Sequence, residues 1–345
     1  MFKLKRFFGI MVAIFALVMV VGCGDDETTE DTNGDEAEVV NEEDNGYDDE
    51  DIDESADEES DDDTVAVSGV MPTQDRAGID MTVPEEINGI ISLAPSITIK
   101  LIDLGLEDKI IAIDTQSAAV YGNEQGLPEF DLMAPEVESM IALNPDFVFA
   151  SAITLMGNEE NDPFAPLRDL GIGVAYIPSS DSIAGIREDI RFVATVVGEA
   201  DAGEALVDEM DREIEEIVAL VGDVETAPIV YFEISPAPEM FSFGSGVFLH
   251  EMIELIGAEN VFGDEESWMG VEAESIVALN PDVIFTNVNF IDDPVTEILE
   301  RSGWEGMDAI INERVYMIDS NDTSQPTHNI TRGLREMAEY LYELN

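Results

Sequence analysis

The sequence predicts an α/β protein of two similar lobes, each built on a central, mostly parallel sheet, joined by one long α-helix. Three observations predict it. The phrase Glu-Ser-Met-Ile-Ala-Leu-Asn-Pro-Asp-Phe beginning at Glu138 returns as Glu-Ser-Ile-Val-Ala-Leu-Asn-Pro-Asp-Val beginning at Glu274, and each copy runs on into an apolar, β-type stretch. One repeat at a separation of 136 residues means paired lobes and not a solenoid, whose period is roughly 20–50 residues. Apolar runs alternate with helical periodicity, which indicates parallel βα units with helices on both sheet faces. Between the two copies, Ala205, Leu206, Met210, Ile214, Ile217, Val218 and Val221 form the stripe of a long amphipathic helix.

The elements follow in order. Ile87 to Ser96 is a buried strand ending in a turn, with Ser96 capping an amphipathic helix over Ile97 to Leu106. Lys109 to Asp114 is a second strand. Val137 to Leu143 is helical, Asn144-Pro145 stops it because a residue before proline avoids helical backbone, and Asp146 to Ala150 is a third strand. A helix through Leu167 to Leu170 ends at Gly171, and Gly173 to Ile177 is a fourth strand. Ser182 to Gly222 is helical with one weak point at Gly198 to Asp201. Pro228 to Ser235 opens the second lobe, followed by a helix over Phe248 to Ile256, the second copy of the phrase, a helix over Pro294 to Arg301, a strand over Arg314 to Asp319 and a closing helix. On this reading residues 69–199 are the N-terminal lobe, 200–223 the bridge and 224–345 the C-terminal lobe.

The N-terminus reads as a leader over residues 1–22. Lys3, Lys5 and Arg6 precede an apolar run from Phe7 to Val21, too short for a spanning helix of about 20 residues. It ends at Gly22, directly before Cys23, the one cysteine in the chain. This is similar to a bacterial lipobox, which implies lipidation of Cys23 and anchoring at the extracytoplasmic face of the membrane. Residues 23–68 read as an acidic tether: the stretch from 25 to 63 holds 23 acids and no Lys or Arg, and cannot bury enough surface to offset its ordering entropy. A faint calcium-loop pattern over Asn41 to Ile52 fails, because Ile52 stands where a bidentate Glu is needed.

Beyond the tether 55 acids face 11 bases, about −44 over residues 64–345. That makes nucleic acid and anionic lipid poor partners, and we read it as adaptation to high salt, which screens the self-repulsion. No Gly-Lys-Ser/Thr phosphate loop, Gly-x-Ser-x-Gly elbow or His-Glu-x-x-His occurs, so no cofactor and no enzyme chemistry is expected.

Ile91-Ser-Leu-Ala-Pro-Ser-Ile-Thr98 with Leu104-Gly-Leu-Glu-Asp-Lys-Ile-Ile111, and Leu255-Ile-Gly-Ala-Glu-Asn-Val-Phe262 in the second lobe, resemble phrases of the iron-chelate/cobalamin substrate-binding proteins of ABC importers. The resemblance covers residues 70–345. It implies two Rossmann-like lobes joined by a rigid helix, a ligand between the carboxyl ends of both sheets, and a monomer that delivers a metal chelate to a permease dimer with its ATPase. It also implies that Glu138 and Glu274 dock on permease arginines. On their own chemistry they are equally solvated acids favouring a helix start. Two departures bear on the cargo: Thr98-Ile99-Lys100 lacks an acid the family often has, and Gln325-Pro-Thr-His-Asn329 lacks the family's arginines, which puts anionic siderophores in question.

Cleft residues are expected on loops after the strands: Pro95, Ser96, Tyr121 and Ser151 in the first lobe, and Phe241, Phe243, Trp268, Asn287, Phe290 and His328 in the second. The aromatics suit a large flat ligand. Trp268 reads equally as packing, and Trp304 as core. His250 and His328 are either axial nitrogen donors or capping and surface residues. Bare zinc or manganese needs clustered ligands that two scattered histidines do not supply. The cargo reading is a ferric siderophore first, then a corrinoid or haem. The competing class is a surface hydrolase using cleft carboxylates on the same scaffold.

Overall fold

The computed structural model describes residues 70–155 and 162–344. The leader over 1–22, Cys23 and the acidic tether lie outside the described residues. The doubled phrase falls in two separate sheets. The first contains β1 (Ile90–Leu93), β2 (Ile110–Asp114), β3 (Glu129–Phe130), β4 (Phe147–Ser151) and β5 (Gly173–Ile177), all parallel in the order β3-β2-β1-β4-β5. The second contains β6 (Ile229–Glu233), β8 (Glu259–Asn260), β10 (Val283–Thr286) and β11 (Val315–Met317), parallel in the order β11-β10-β6-β8. An antiparallel ribbon of β7 (Phe241–Phe243) with β9 (Trp268–Gly270) follows β6 in the chain. Strands β1, β4 and β5 are buried at every residue, which is why they read as uninterrupted apolar runs and not as alternation.

Each copy of the phrase makes the same local object. Helix α3 (Val137–Ala142) leads into β4, and α8 (Ala273–Leu279) leads into β10. Asn144 (φ 53°) and Asn280 (φ 49°) take the left-handed conformation that asparagine tolerates, and the buried prolines Pro145 and Pro281 prevent the helix from continuing. Asp146 Oδ2 then accepts the amides of Asn88 at 2.7 Å and Gly89 at 2.9 Å, at the entry to β1. Asp282 Oδ2 accepts the amide of Ile229 at 2.8 Å, the first residue of β6. In both lobes one carboxylate fastens the start of the neighbouring parallel strand.

Helix α1 (Pro95–Asp103) departs from expectation at both ends. It begins at Pro95 after Ala94 with no side-chain cap, so Ser96 lies inside the first turn and does not cap it. It stops at Asp103 because Gly105 (φ 78°) lets the Leu106 amide fold back onto Leu101 O. Tyr121, expected on a loop, ends a helix, α2 (Thr115–Tyr121), because Asp114 Oδ1 accepts the amides of Gln116 and Ser117 at 2.9 and 3.0 Å.

The helical stretch breaks at Gly198 (φ 79°) into α5 (Ile183–Val196) and α6 (Ala200–Val221), after the short α4 (Ala165–Asp169). The two run antiparallel and are laced by Arg187–Asp211 at 2.7 Å and Arg191–Glu204 at 2.9 Å. Their backbones approach so closely that a Cβ at Gly203 would lie 2.3 Å from that of Ala194. Ile183, Ile186 and Ile190 of α5 join Val207, Met210, Ile214 and Ile217 of α6 in one core with Val230, Phe232 and Phe285 of the second sheet. That core also takes in α7 (Phe248–Leu255) and, after α9 (Pro294–Leu299), α10 (Asp308–Ile311) and α11 (Ser320–Thr323), the closing helix α12 (Ile330–Tyr342). The far end of α5, from Val193 to Val197, packs under the first sheet with Ile90, Phe147 and Phe149. Helix α5 thus reaches both cores.

Removing either strand-fastening carboxylate leaves amides of the adjacent strand unpaired. Asp146→Ala and Asp282→Ala should each cost about 1–3 kcal/mol in urea unfolding. An effect below about 0.5 kcal/mol, the range of an ordinary surface change, would refute the assignment.

Candidate ligand-binding cleft

Parallel strands all end at one edge of a sheet, and in open α/β sheets ligands bind outside those carboxyl ends. In the first sheet these ends lead into α1, α2, the short 3₁₀ turn Ala152–Leu155 and residues 178–182. In the second they lead into 234–240, 287–293 and 318–328. Below the first edge lies a chain of buried hydroxyls. Ser92 Oγ and Thr98 Oγ1 are 2.8 Å apart, Thr98 Oγ1 and Ser117 Oγ 2.9 Å, and Ser117 Oγ donates to Asp114 Oδ2. Burial pushes the Asp114 carboxyl up, opposed by the donors from Ser117 and Gln116. At the second edge Glu233, the last residue of β6, is gripped by Arg301 at 2.6 and 3.0 Å, and the guanidinium lies 4.3 Å from the Trp304 ring centre. Burial raises the Glu233 carboxyl and Arg301 counteracts it. Both carboxylates are engaged in holding structure.

The seam closes along one face of α1. Lys100 is fully buried, and its Nζ donates to Pro326 O of the second lobe at 3.1 Å, with Asp189 Oδ2 at 4.0 Å. Asp189, itself 2% exposed, also accepts from Arg76 Nε at 2.8 Å and Ser180 Oγ at 2.6 Å. Burial lowers the Lys100 pKa, partly offset by Asp189 and reinforced by Arg76. One turn further on, Asp103 Oδ2 lies 2.8 Å from His328 Nε2. Tyr121 belongs to the same group: burial, and then the carboxylates of Asp103, Asp322 and Asp114, push its phenol up.

The expected site residues separate accordingly. Pro95 and Ser96 stand half-buried at the head of α1, and Tyr121 is half-buried beside the Asp103–His328 pair. Ser151 is 8% exposed and its Oγ accepts the Ile153 amide at 3.3 Å. Asn287 is 6% exposed and donates to Thr323 Oγ1 and Ser324 Oγ, both at 3.2 Å. Phe243 is a correction: it is wholly buried in β7, within the core shared with Phe232, so it is not a loop-tip contact. Trp268 packs edge-on against Phe243 and Phe248 at 5.6 and 6.5 Å, half-buried over that core. Phe241 and Phe290 are half-buried. Trp304 is core, 1% exposed.

Neither histidine has its Nε2 free. His328 pairs with Asp103, while His250 Nε2 lies 3.4 Å from Glu254 and its Nδ1 3.3 Å from Asn260 Nδ2. Glu138 and Glu274 are exposed, each in the first turn of its helix. Among the described residues no group of three or more His, Cys, Asp or Glu is placed to hold a metal ion, and no helix is long and apolar enough to cross a membrane. A concavity of about 180 Å³ lies between α6 and α12, lined by Glu213, Thr331, Arg332, Arg335, Glu336 and Glu339. It is smaller than typical ligand pockets of roughly 300–1,000 Å³. The sequence pattern missed Lys100, Asp103 and Asp189. Their signal is a charged residue on a helix face that must be buried, but the partners are up to 226 residues away.

Two parallel-sheet lobes, linked by packed helices and touching through residues that follow their strand ends, have the architecture of a solute-binding protein. The chain belongs to the periplasmic binding protein family, whose model matches residues 90–321. It is 29% identical over 272 residues, covering 78% of this chain and 84% of the relative, to the Bacillus subtilis protein described as the uncharacterized ABC transporter substrate-binding lipoprotein YvrC. It is 24% identical over 260 residues, 74% of this chain and 90% of the relative, to the vitamin B12-binding protein of Vibrio parahaemolyticus. A crystal structure of a Staphylococcus epidermidis protein, described as a possible iron-binding periplasmic solute-binding protein, superimposes with a TM-score of 0.67 at 26% identity. It covers 75% of this chain and 100% of that one. The Roseiflexus haem-binding protein RhuT, at 20% identity and covering 75% and 99%, has the same fold with a TM-score of 0.64.

Two measurements test the seam. Lys100→Met leaves Pro326 O without its donor, and Asp189→Ala leaves the buried Lys100 ammonium without its carboxylate while Arg76 keeps Glu188; both should destabilise, with Asp189→Ala the more costly at about 3–5 kcal/mol. The reverse order in chemical unfolding would refute this account. Asp322 is raised to about 6 by burial, then by Asp319 and Glu336 against Arg332, from an ordinary 3.8. The folded state therefore keeps this proton after the unfolded state has lost it, so stability falls as pH rises through that window. Asp322→Asn should raise the melting temperature at neutral pH and leave it unchanged below the ordinary value; no pH dependence in the difference would refute the shift.

Proposed function

We propose that this chain is the cargo-binding component of an ABC importer, held by lipid on Cys23 at the extracytoplasmic face of the membrane. It captures a metal chelate between lobes 69–199 and 224–345, bridged by 200–223, and hands it to a permease dimer driven by its ATPase. A ferric siderophore is the preferred cargo, followed by a corrinoid and then haem. The observation that carries the reading is the doubled α3–β4 and α8–β10 unit, which presents an exposed glutamate in the first helical turn of each lobe. Two such carboxylates suit a pseudo-symmetric cationic acceptor that reads both lobes at once. The names of the relatives support the class: a substrate-binding lipoprotein, vitamin B12-binding proteins and an iron-binding solute protein.

Against the hydrolase stands the structural employment of the carboxylates nearest the strand ends, Asp114 as a helix cap and Glu233 as the partner of Arg301. Packing of α5 and α6 into the second sheet's core favours modest closure on cargo over a wide hinge.

Replacing Glu138 and Glu274 together by Arg should abolish cargo uptake by whole cells while leaving affinity for the chelate unchanged. Loss of affinity would move both residues into the cleft and end the docking assignment. In the same cells Cys23→Ala should shift the protein from the membrane to the soluble fraction.

A further inference from the structure

The segments that follow the strands carry negative charge alone. Residues 94–96, 115–121, 151–155, 178–182, 234–247, 287–293 and 318–328 contain no Lys or Arg, yet hold Asp181, Glu239, Asp292, Asp293, Asp319 and Asp322. Two cations beside the strand ends are already engaged. Lys100 is buried against Pro326 O and Asp189, and Arg301 is taken by Glu233 and Glu297. Burial, then Asp319 and Glu336 against Arg332, raise the Asp322 carboxyl in the last of these segments.

Helix N-termini are the other device by which an open α/β sheet binds anions, and here the chain's own carboxylates take amides at α2, α5, α9 and α11. Asp114 takes the first amides of α2, Asp293 the Thr296 amide of α9, and Asp319 the Asn321 amide of α11. At α5 the Ile183 amide goes to Glu251 Oε2 at 2.7 Å and the Gly185 amide to Ser182 Oγ at 3.1 Å. At α1 the first residue is Pro95, which has no N–H, and the amides of Ile97 and Thr98 are turned back to Ala94 O.

We infer that the cleft is built against anions and takes metal chelates of zero or positive net charge that bring their own complete set of metal ligands. The inference rests on the binding-protein reading above and narrows it. Uncharged or cationic ferric hydroxamates and corrinoids fit, and ligands carrying free carboxylates or deprotonated catechols do not.

The test is equilibrium binding to the full chain, read by tryptophan quenching and by melting temperature. The probes are a monocationic ferric trihydroxamate, its uncharged acetylated form, a trianionic ferric tricatecholate, vitamin B12 and haem. We expect at least one uncharged or cationic probe to bind. The tricatecholate should bind at least about tenfold more weakly at low salt, with the gap shrinking in molar salt as screening sets in. Asn289→Lys, an exposed position on the loop after β10, should strengthen tricatecholate binding and leave the uncharged chelate unaffected. Tricatecholate or haem binding as tightly as the uncharged probes would overturn the charge inference while leaving a binding protein in place. So would an Asn289→Lys variant that still rejects the trianion, because shape would then be the discriminator. If no chelate of any charge binds, the binding-protein reading falls, and this inference with it.

Discussion

The structure depends on how α5 and α6 bury apolar surface. These helices are too hydrophobic on their inner faces to stand as a free linker, and their stripe continues directly into the core beneath Val230, Phe232 and Phe285. Burial at about 25 cal/mol per Å² makes such a face costly to open. One side of the seam is therefore closed by packing, with Lys100 and the Asp103–His328 pair set along it where the lobes touch. The strand ends are left as the place where two lobes can receive a guest.

Within each lobe the same economy recurs. An Asn-Pro-Asp turn ends a helix, starts a buried strand and supplies a carboxylate to the amides that enter the next strand. A parallel sheet has no hairpin to set its register, so a side chain fixed at the strand entry does that work. The duplicated phrase is thus explained first as architecture. The glutamate that opens it is exposed in both copies and makes no contact that the turn or the strand entry requires.

The charge of the body and the chemistry of the cleft have a common origin. A chain with 55 acids and 11 bases beyond its tether has few cations to place. Five of those eleven serve the α5–α6 lacing, Asp189 and Glu233. Carboxylates instead become the helix caps at Asp114, Asp293 and Asp319. Each capping acid removes amides that an anionic ligand would have used and adds a charge that repels it.

The class of fold was legible because it rests on local regularities: buried strands as apolar runs, the helix break at Gly198, and a repeated turn whose Asn, Pro and Asp each have a backbone reason to be there. Tyr121 lies on a helix and not a loop because the Asp114 carboxylate, which in the sequence is the end of a strand, also caps the helix that follows. Phe243 was placed in the cleft because its position after β6 is loop-like, whereas the ribbon with Trp268 turns it into the core. Tertiary structure alone decided the seam. Lys100 and Pro326 are 226 residues apart, and whether a lysine lies in water or against a distant carbonyl depends on how two cores come together, which no window of neighbouring residues encodes.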